Sequence, residues 1–388
     1  MLNFTYANPT RLVFGRGALA LTGETVRGML GRTGKVLVLY GLGSAKRTGV
    51  LGRVIESLEA SGMRVIEMGG AQPNPRMSFV RETADWIRDQ GIKAIVAVGG
   101  GSVIDAAKAV AAALEYEGDG WDFFDGHATP EKAMPVFAVV TIPAAGSEQS
   151  ARCVITHHGD KIGMSAECLR PKAAIIDPAC FATVPPNQIS AGVMDMASHI
   201  LERYFSNTSA TDFVDAQAEA ALRTILKFGP VVRANPDDYD AWCQLAMAGT
   251  FAHNGLFGLG REEDWACHAI EHEISGWRDA IIHGEGLAVV VPAWMRFAAK
   301  RAPKRLADFG ERVLGVAREA DDESTARLTV EALGKWLESM RLPATLKAIG
   351  AEDCPIESLA RHCCRKGPVG RYVTLEAADV AEILRSAQ

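Results

Sequence analysis

From residue 35 to about residue 180, short aliphatic runs alternate with stretches of helical length. KVLVLY (35–40), RVIEMG (64–69), KAIVAVGGG (93–101) and PVFAVVTIP (135–143) read as strands. Between them lie VLGRVIESLEASG, MSFVRETADWIRDQG (77–91) and IDAAKAVAAAL, which carry helical periodicity. Strands separated by helices of this length form crossovers, so neighbouring strands run parallel and both faces of the sheet are covered. TRLVFGRG is expected to be an edge strand or a hairpin arm, and VITHHGDKIGMSA (154–166) a hairpin. After AAIIDPACFATVPPNQ (173–188) the texture changes, and nearly everything downstream reads as helix with short polar breaks. The chain therefore divides into an α/β domain over 1–184 and an all-α domain over 185–388. Its 388 residues suffice for two separate cores.

The third strand runs straight into Gly99, Gly100 and Gly101 and then a helix, VAVGGGSVIDAAKAV. Glycines let the backbone approach a pyrophosphate, and the unpaired N–H groups and positive dipole end of the new helix favour that charge. The spacing is GGGSxxD rather than GxGxxG, so the common dinucleotide fingerprint is not claimed. Ser102 and Asp105 also have the spacing of a capping box. Gly99, Gly100, Gly101, Ser102 and Asp105 become candidate cofactor-binding residues.

The end of the first strand bears on which dinucleotide is bound. NAD enzymes usually carry an acidic residue there for the adenosine ribose 2′-hydroxyl. Here the strand ends in Tyr40, Gly41, Leu42, Gly43 and Ser44, with Lys46 and Arg47 just after. A missing carboxylate at Gly41 and Ser44, with basic groups at hand, favours a 2′-phosphate, hence NADP(H) over NAD(H).

Asp195 and His199 are spaced i, i+4 in SAGVMDMASHILERYF, which puts both on one helix face. His268 and His272 repeat that spacing in WACHAIEHEISGW, and His283 follows in IIHGEGLA. One such pair is usually just a satisfied polar pair. Several within apolar runs differ, because burying them without a partner is costly. One carboxylate and three imidazoles suit a single Fe²⁺ or Zn²⁺ and make a poor cage for Ca²⁺ or Mg²⁺. The protease motif HExxH is absent, since Ala269 follows His268. Glu271 and Glu273 read as solvated or supporting carboxylates. Trp265 and Trp277 either shape a pocket or fill the core, and His157, His158 and His253 read as structural.

A net charge of −6 and a pI near 5.9, with dispersed Lys and Arg, argue against a nucleic-acid partner. No run approaches the roughly 20 apolar residues that span a bilayer. The N-terminus has no basic segment followed by an apolar core. The eight cysteines have neither zinc-ligand nor disulfide-framework spacing, so a reduced, cytoplasmic protein is expected.

The chain resembles the iron-containing (group III) alcohol dehydrogenases, on the butanol dehydrogenase and NADPH-dependent aldehyde reductase branch. The resemblance runs through YANPTRLVFGRGAL, YGLGSAKRTGV, QPNP, VAVGGGSVIDAAKAVAA, EGDGWDFF, TIPAAGSEQS, IIDPACFATVPP, GVMDMASHILERYF, DWACHAIEHE and HGEGLAVVVPAWM, nearly the whole length. It implies a dehydroquinate synthase-like fold: an α/β nucleotide-binding domain with a parallel sheet, and an all-α metal-binding and catalytic domain. It implies that Asp195, His199, His268 and His283 bind the metal and that His272 lies near the nicotinamide. It also implies that Thr141, Ser147 and Lys161 touch the cofactor and that Asn74 lies on the nicotinamide side. The implied reaction is hydride transfer between the nicotinamide and a metal-polarised carbonyl of a small aldehyde or primary alcohol, in a homodimer. His268 and His283 are one residue further apart than the resemblance implies, so a bulged loop is expected before His283. Arg152 stays unassigned. Alternatives are a lyase of the dehydroquinate synthase type, which would need Lys and Arg around the metal, and a non-catalytic relative.

Overall fold

The structure, a computed structural model, describes residues 1–388. Six strands form one sheet: β1 (Arg11–Phe14), β2 (Lys35–Tyr40), β3 (Arg64–Met68), β4 (Ile92–Gly99), β5 (Val136–Val140) and, later in the chain, β8 (Ala173–Ile176). Their order is β1-β8-β5-β4-β2-β3, and every neighbouring pair is parallel. β6 (Arg152–His157) and β7 (Asp160–Ser165) form a separate antiparallel hairpin. β5 is buried at every position and β4 at all but Lys93. Strands covered on both faces need no polar alternation, which is why these runs are continuously apolar.

One expected alternative is decided and one strand is new. TRLVFGRG resolves into edge strand β1, paired only with β8. β8 itself was not expected as a strand. AAII is short, half alanine and set in the Pro-rich boundary run, so its extended form comes from β1 and β5 pairing on either side.

The chain forms two compact units that are not two contiguous halves. One comprises Ala7–Val184 and Pro236–Asn254, and the other Met1–Tyr6, Pro185–Asn235 and Gly255–Gln388. The segment Pro236–Asn254 differs from the 185–388 assignment for a plain reason: helical texture does not tell which core a helix joins. Its helix Tyr239–Phe251 sets Trp242 against Phe181 with ring centroids 5.4 Å apart, and Arg16 lies 4.0 Å over the Tyr239 ring.

In the helical unit, Pro186–Tyr204 begins at a Pro pair that needs no N–H there. From Ile189 to Tyr204 every residue is buried, so Asp195 and His199 lie in a core. No helix is long and apolar enough to cross a membrane.

Candidate active site

In the sheet-bearing unit, strand order reverses between β2 and β4: β3 lies outward from β2, while β5 and β8 extend from β4 on the other side. In open α/β sheets the crevice beyond the strand ends at such a reversal is where ligands bind. Gly41 and Ser44 follow β2, Gly99–Ser102 close β4 and open the helix Gly101–Ala113, and Thr141 follows β5. These loops are bonded together, with Thr141 N donating to Gly99 O at 3.0 Å and Gly70 N to Gly41 O at 3.2 Å.

The three glycines are not equivalent. A Cβ on Gly99 would lie 2.4 Å from Val103 Cγ2, and one on Gly100 would lie 2.5 Å from Ile142 Cγ2. Internal packing therefore demands both. Gly101 would meet only Ala145, at an ordinary 3.7 Å, so its bareness is not explained by packing.

The capping box is not formed. The helix is capped by Gly100 with no side-chain cap, and the Asp105 carboxylate turns elsewhere. Its Oδ1 accepts from Ser147 Oγ at 2.5 Å and its Oδ2 from Val154 N at 2.9 Å. One helical turn on, the fully buried Lys108 donates to Ser147 O (2.6 Å), Ser147 Oγ (2.8 Å) and Arg152 O (2.8 Å). Burial pushes the Asp105 carboxyl up and the Lys108 ammonium down, and each offsets part of the other's shift. Asp105 and Ser147 are thus committed to each other and to Lys108, fastening the Ser147–Gln149 turn and β6 to the helix Gly101–Ala113. Asn74, at φ 49°, precedes a segment where Pro75 O accepts from Thr156 N at 2.8 Å. Thr156 faces Lys161 across the hairpin, so Asn74 and Lys161 flank one patch.

In the helical unit the second set of candidates converges. His268 Nε2 and His283 Nε2 each lie 3.8 Å from Asp195 Oδ1, and His199 Nδ1 lies 2.9 Å from it. The His199 and His268 ring centroids are 4.4 Å apart, and those of His268 and His283 5.4 Å. Asp195, His199 and His268 offer ligand atoms that all lie within 4.8 Å of one another. Asp195 Oδ1 and His268 Nε2 are buried and make no hydrogen bond. His199 Nδ1 is the near neighbour of Oδ1, but the His268 Nε2 lone pair faces that carboxylate at 3.8 Å, which is costly unless a cation lies between them. Ligand atoms about 2.1 Å from a tetrahedral ion would be about 3.4 Å apart, close to the spacing found. The residues fit a divalent ion.

Burial opposes charge at Asp195, His199 and His268. The carboxyl of Asp195 is nonetheless held well below its usual range by His199, His268 and His283. Burial lowers His199, which favours the neutral ligand form. Burial would lower His268 too, but Asp195 and Glu202 outweigh it and raise that group.

His272 lies one turn beyond His268, its ring centroid 5.5 Å from that of His283. A short turn joins the helices Ala266–Trp277 and His283–Ala299. There Arg278 pairs with Asp353 at 2.8 Å and Ile281 is buried, so His283 still reaches Asp195. Glu273 accepts from His362 at 2.6 Å and from Arg365 at 3.3 Å, while Glu271 is fully buried against His283. Trp265 caps its helix at φ 65°, an unusual conformation for a bulky residue, with its ring 5.8 Å from His199 and 5.2 Å from His268.

A family model described as iron-containing alcohol dehydrogenase matches residues 9–178, and one for the C-terminal part of the Fe-containing alcohol dehydrogenase family matches 189–388. The chain belongs to the iron-containing alcohol dehydrogenase family. It is an oxidoreductase of that type. NADH-dependent butanol dehydrogenase A of Clostridium acetobutylicum is 34% identical over 390 residues, 99% of either chain. NADPH-dependent aldehyde reductase YqhD of Escherichia coli is 34% identical over 366 residues, 93% of this chain and 92% of that one. The crystal structure of NADH-dependent butanol dehydrogenase A from Thermotoga maritima superposes with a TM-score of 0.95 at 40% identity, covering 100% of this chain and 99% of that chain. Membership of this family favours a dehydrogenase over the lyase and the non-catalytic relative.

Sequence reasoning missed two residues. Glu202 stands at i+7 from Asp195 and i+3 from His199, on the same stripe as those candidate ligands, and that spacing was a usable signal. Lys108 gave none, because a lysine in an alanine-rich helix reads as a solvated charge.

Proposed function

We propose that the protein is a metal-dependent, NADP(H)-linked alcohol dehydrogenase or aldehyde reductase acting on small aldehydes and primary alcohols. The observation that carries this reading is the convergence of His199, His268 and His283 on Asp195 Oδ1 in a core, with His268 Nε2 buried and making no hydrogen bond. These four side chains would hold one divalent ion, Fe²⁺ or Zn²⁺. When bound, the ion supplies Lewis-acid polarisation of a carbonyl oxygen, and the nicotinamide supplies the hydride.

The chain's own residues supply the rest. The N–H groups at the Gly100–Ser102 helix start, with the open face of Gly101, suit a pyrophosphate. Gly41 and Ser44 suit the adenosine ribose, and Thr141, Asn74 and Lys161 the nicotinamide half. Asp105 and Ser147 act by holding the turn rather than by reaching the cofactor. His272 Nδ1 or Nε2 would pass a proton to the alcohol oxygen, a task that suits imidazole at neutral pH. The preference for NADP(H) rests on the absence of a carboxylate between Tyr40 and Ser44 and on exposed Lys46 and Arg47. Among relatives, the names specify NADH for the butanol dehydrogenases and NADPH for the reductase. The reading includes a cytoplasmic homodimer, in keeping with eight free cysteines and the half-exposed Met1, Leu2 and Phe4.

The test is a steady-state panel of short aldehydes with NADPH and NADH, on apoprotein reloaded with one metal at a time. NADPH oxidation that returns only with Fe²⁺ or Zn²⁺ is expected. No turnover with any metal would overturn the reading, and a preference for NADH would overturn the argument from Gly41.

A further inference from the structure

Each imidazole around Asp195 is fastened through its Nδ1. His199 Nδ1 lies 2.9 Å from the Asp195 carbonyl, one turn back on its own helix. His268 Nδ1 lies 3.0 Å from Glu202 Oε1, and His283 Nδ1 is bonded to Glu271 Oε2. Glu202 and Glu271 are 3% and 0% exposed, so two carboxylates beyond the ligand set are buried here. Burial of a carboxylate is tolerated only with strong partners, and these two meet imidazoles.

The surrounding backbone is fitted to both. Glu202 Oε1 also accepts from His268 N at 2.8 Å, so one oxygen fixes the helix start and the ring it carries. Glu271 occupies space left by Gly286, where a Cβ would lie 2.8 Å from its Cγ and Oε1. A neutral imidazole has one N–H. Donation from Nδ1 therefore leaves the Nε2 lone pair outward, and these are the nitrogens 3.8 Å from Asp195 Oδ1.

We propose that Glu202 and Glu271 are positioning residues: each selects the Nδ1–H tautomer and ring orientation of one histidine, His268 or His283, and so sets the affinity of the divalent-ion site. This rests on the reading that the Asp195 cluster holds a metal. The partition of roles is definite. Asp195, His199, His268 and His283 bind the ion, and Glu202 and Glu271 act on it through the two imidazoles.

The test uses Glu202→Gln and Glu271→Gln in the full chain, with Asp195→Asn and His268→Ala as ligand controls. Apoproteins are loaded with Co²⁺, affinity is read by competition with a chromogenic chelator, and the visible absorption is recorded at saturation. Each Glu→Gln variant should bind Co²⁺ roughly 10–100-fold more weakly than the parent. The saturated spectrum should stay parental, because the ligand atoms are unchanged. A role in packing alone would lower the apoprotein melting temperature and leave the affinity alone. Affinity within about twofold of the parent would overturn the proposal, since loss of a supporting partner should cost at least tenfold. So would a changed coordination spectrum in Glu271→Gln, which would make Glu271 a direct ligand. Parental affinity in Asp195→Asn and His268→Ala would instead overturn the metal-site reading itself. If Glu271→Gln does not fold, Glu271→Asp, which keeps the charge but withdraws it from Nδ1, is read by the same criteria.

Discussion

Lys108→Met is the perturbation that most directly probes how the proposed cofactor-binding turn is held. Methionine keeps the length and apolar stem of lysine and removes its charge and three donors. The Ser147 and Arg152 carbonyls and the Ser147 hydroxyl lose partners at 2.6–2.8 Å. Asp105, bonded to Ser147 at 2.5 Å, loses the cation that offsets its burial. Removing one member of a buried charge pair costs about 3–5 kcal/mol, because the other stays uncompensated. Burial of the thioether returns part of this, so a net loss of about 3 kcal/mol is expected. Urea unfolding of the apoprotein measures it. Fluorescence titration with NADPH should show about tenfold weaker binding, equivalent to about 1.4 kcal/mol, as the Ser147–Gln149 turn loosens. Asp105→Asn combined with Lys108→Met should be less damaging than the sum of the single changes, by about 1–3 kcal/mol, since neither then leaves a lone charge. A parental unfolding midpoint, or strict additivity in the double variant, would refute the argument.

Two further outcomes follow from the same geometry. Gly101→Ala should leave the melting temperature unchanged, because its Cβ would make one ordinary contact at 3.7 Å, yet weaken NADPH binding; Gly99→Ala, with Val103 Cγ2 at 2.4 Å, should also cost about 1–3 kcal/mol of stability. Equal cofactor affinity in Gly101→Ala and the parent would count against phosphate binding there. At Asp215, burial alone would raise the carboxyl, but Arg305 at 2.7 Å and Arg261 at 2.7 Å outweigh it and hold it below its usual 3.8. A carboxyl depressed in the folded state contributes stability above its unfolded value, lost as pH falls through the folded one. Melting curves from neutral to about pH 3 should therefore flatten at the acid end in Asp215→Asn, with a lower plateau at neutral pH. An unchanged acid slope would assign the acid loss to other groups.

What could be read from the sequence divides by the distance over which each signal acts. The parallel sheet was legible because β4 and β5, buried on both faces, must be continuously apolar and must be joined by helices. β8 was not, because four residues of AAII become a strand only through neighbours far away in sequence. The candidate ligands Asp195 and His199 announce themselves by spacing on one helix, whereas His283 reaches Asp195 only because the turn over 278–282 brings the next helix beside it. Their supports divide in the same way. Glu202 shares a helix and a stripe with Asp195 and His199, so its place beside them could be read from periodicity. Glu271 sits beside His272, which suggested a flanking carboxylate, but only folding reveals that it faces His283 on the next helix. Lys108 lies deeper still: its partners Ser147 and Arg152 are 39 and 44 positions away, and nothing local marks it as buried. Groups that touch a ligand must be of a few chemical types at fixed spacings, and that restriction is the signal. Groups that hold them in place need only arrive there through the fold, so their identities are constrained by contacts that one sequence does not display.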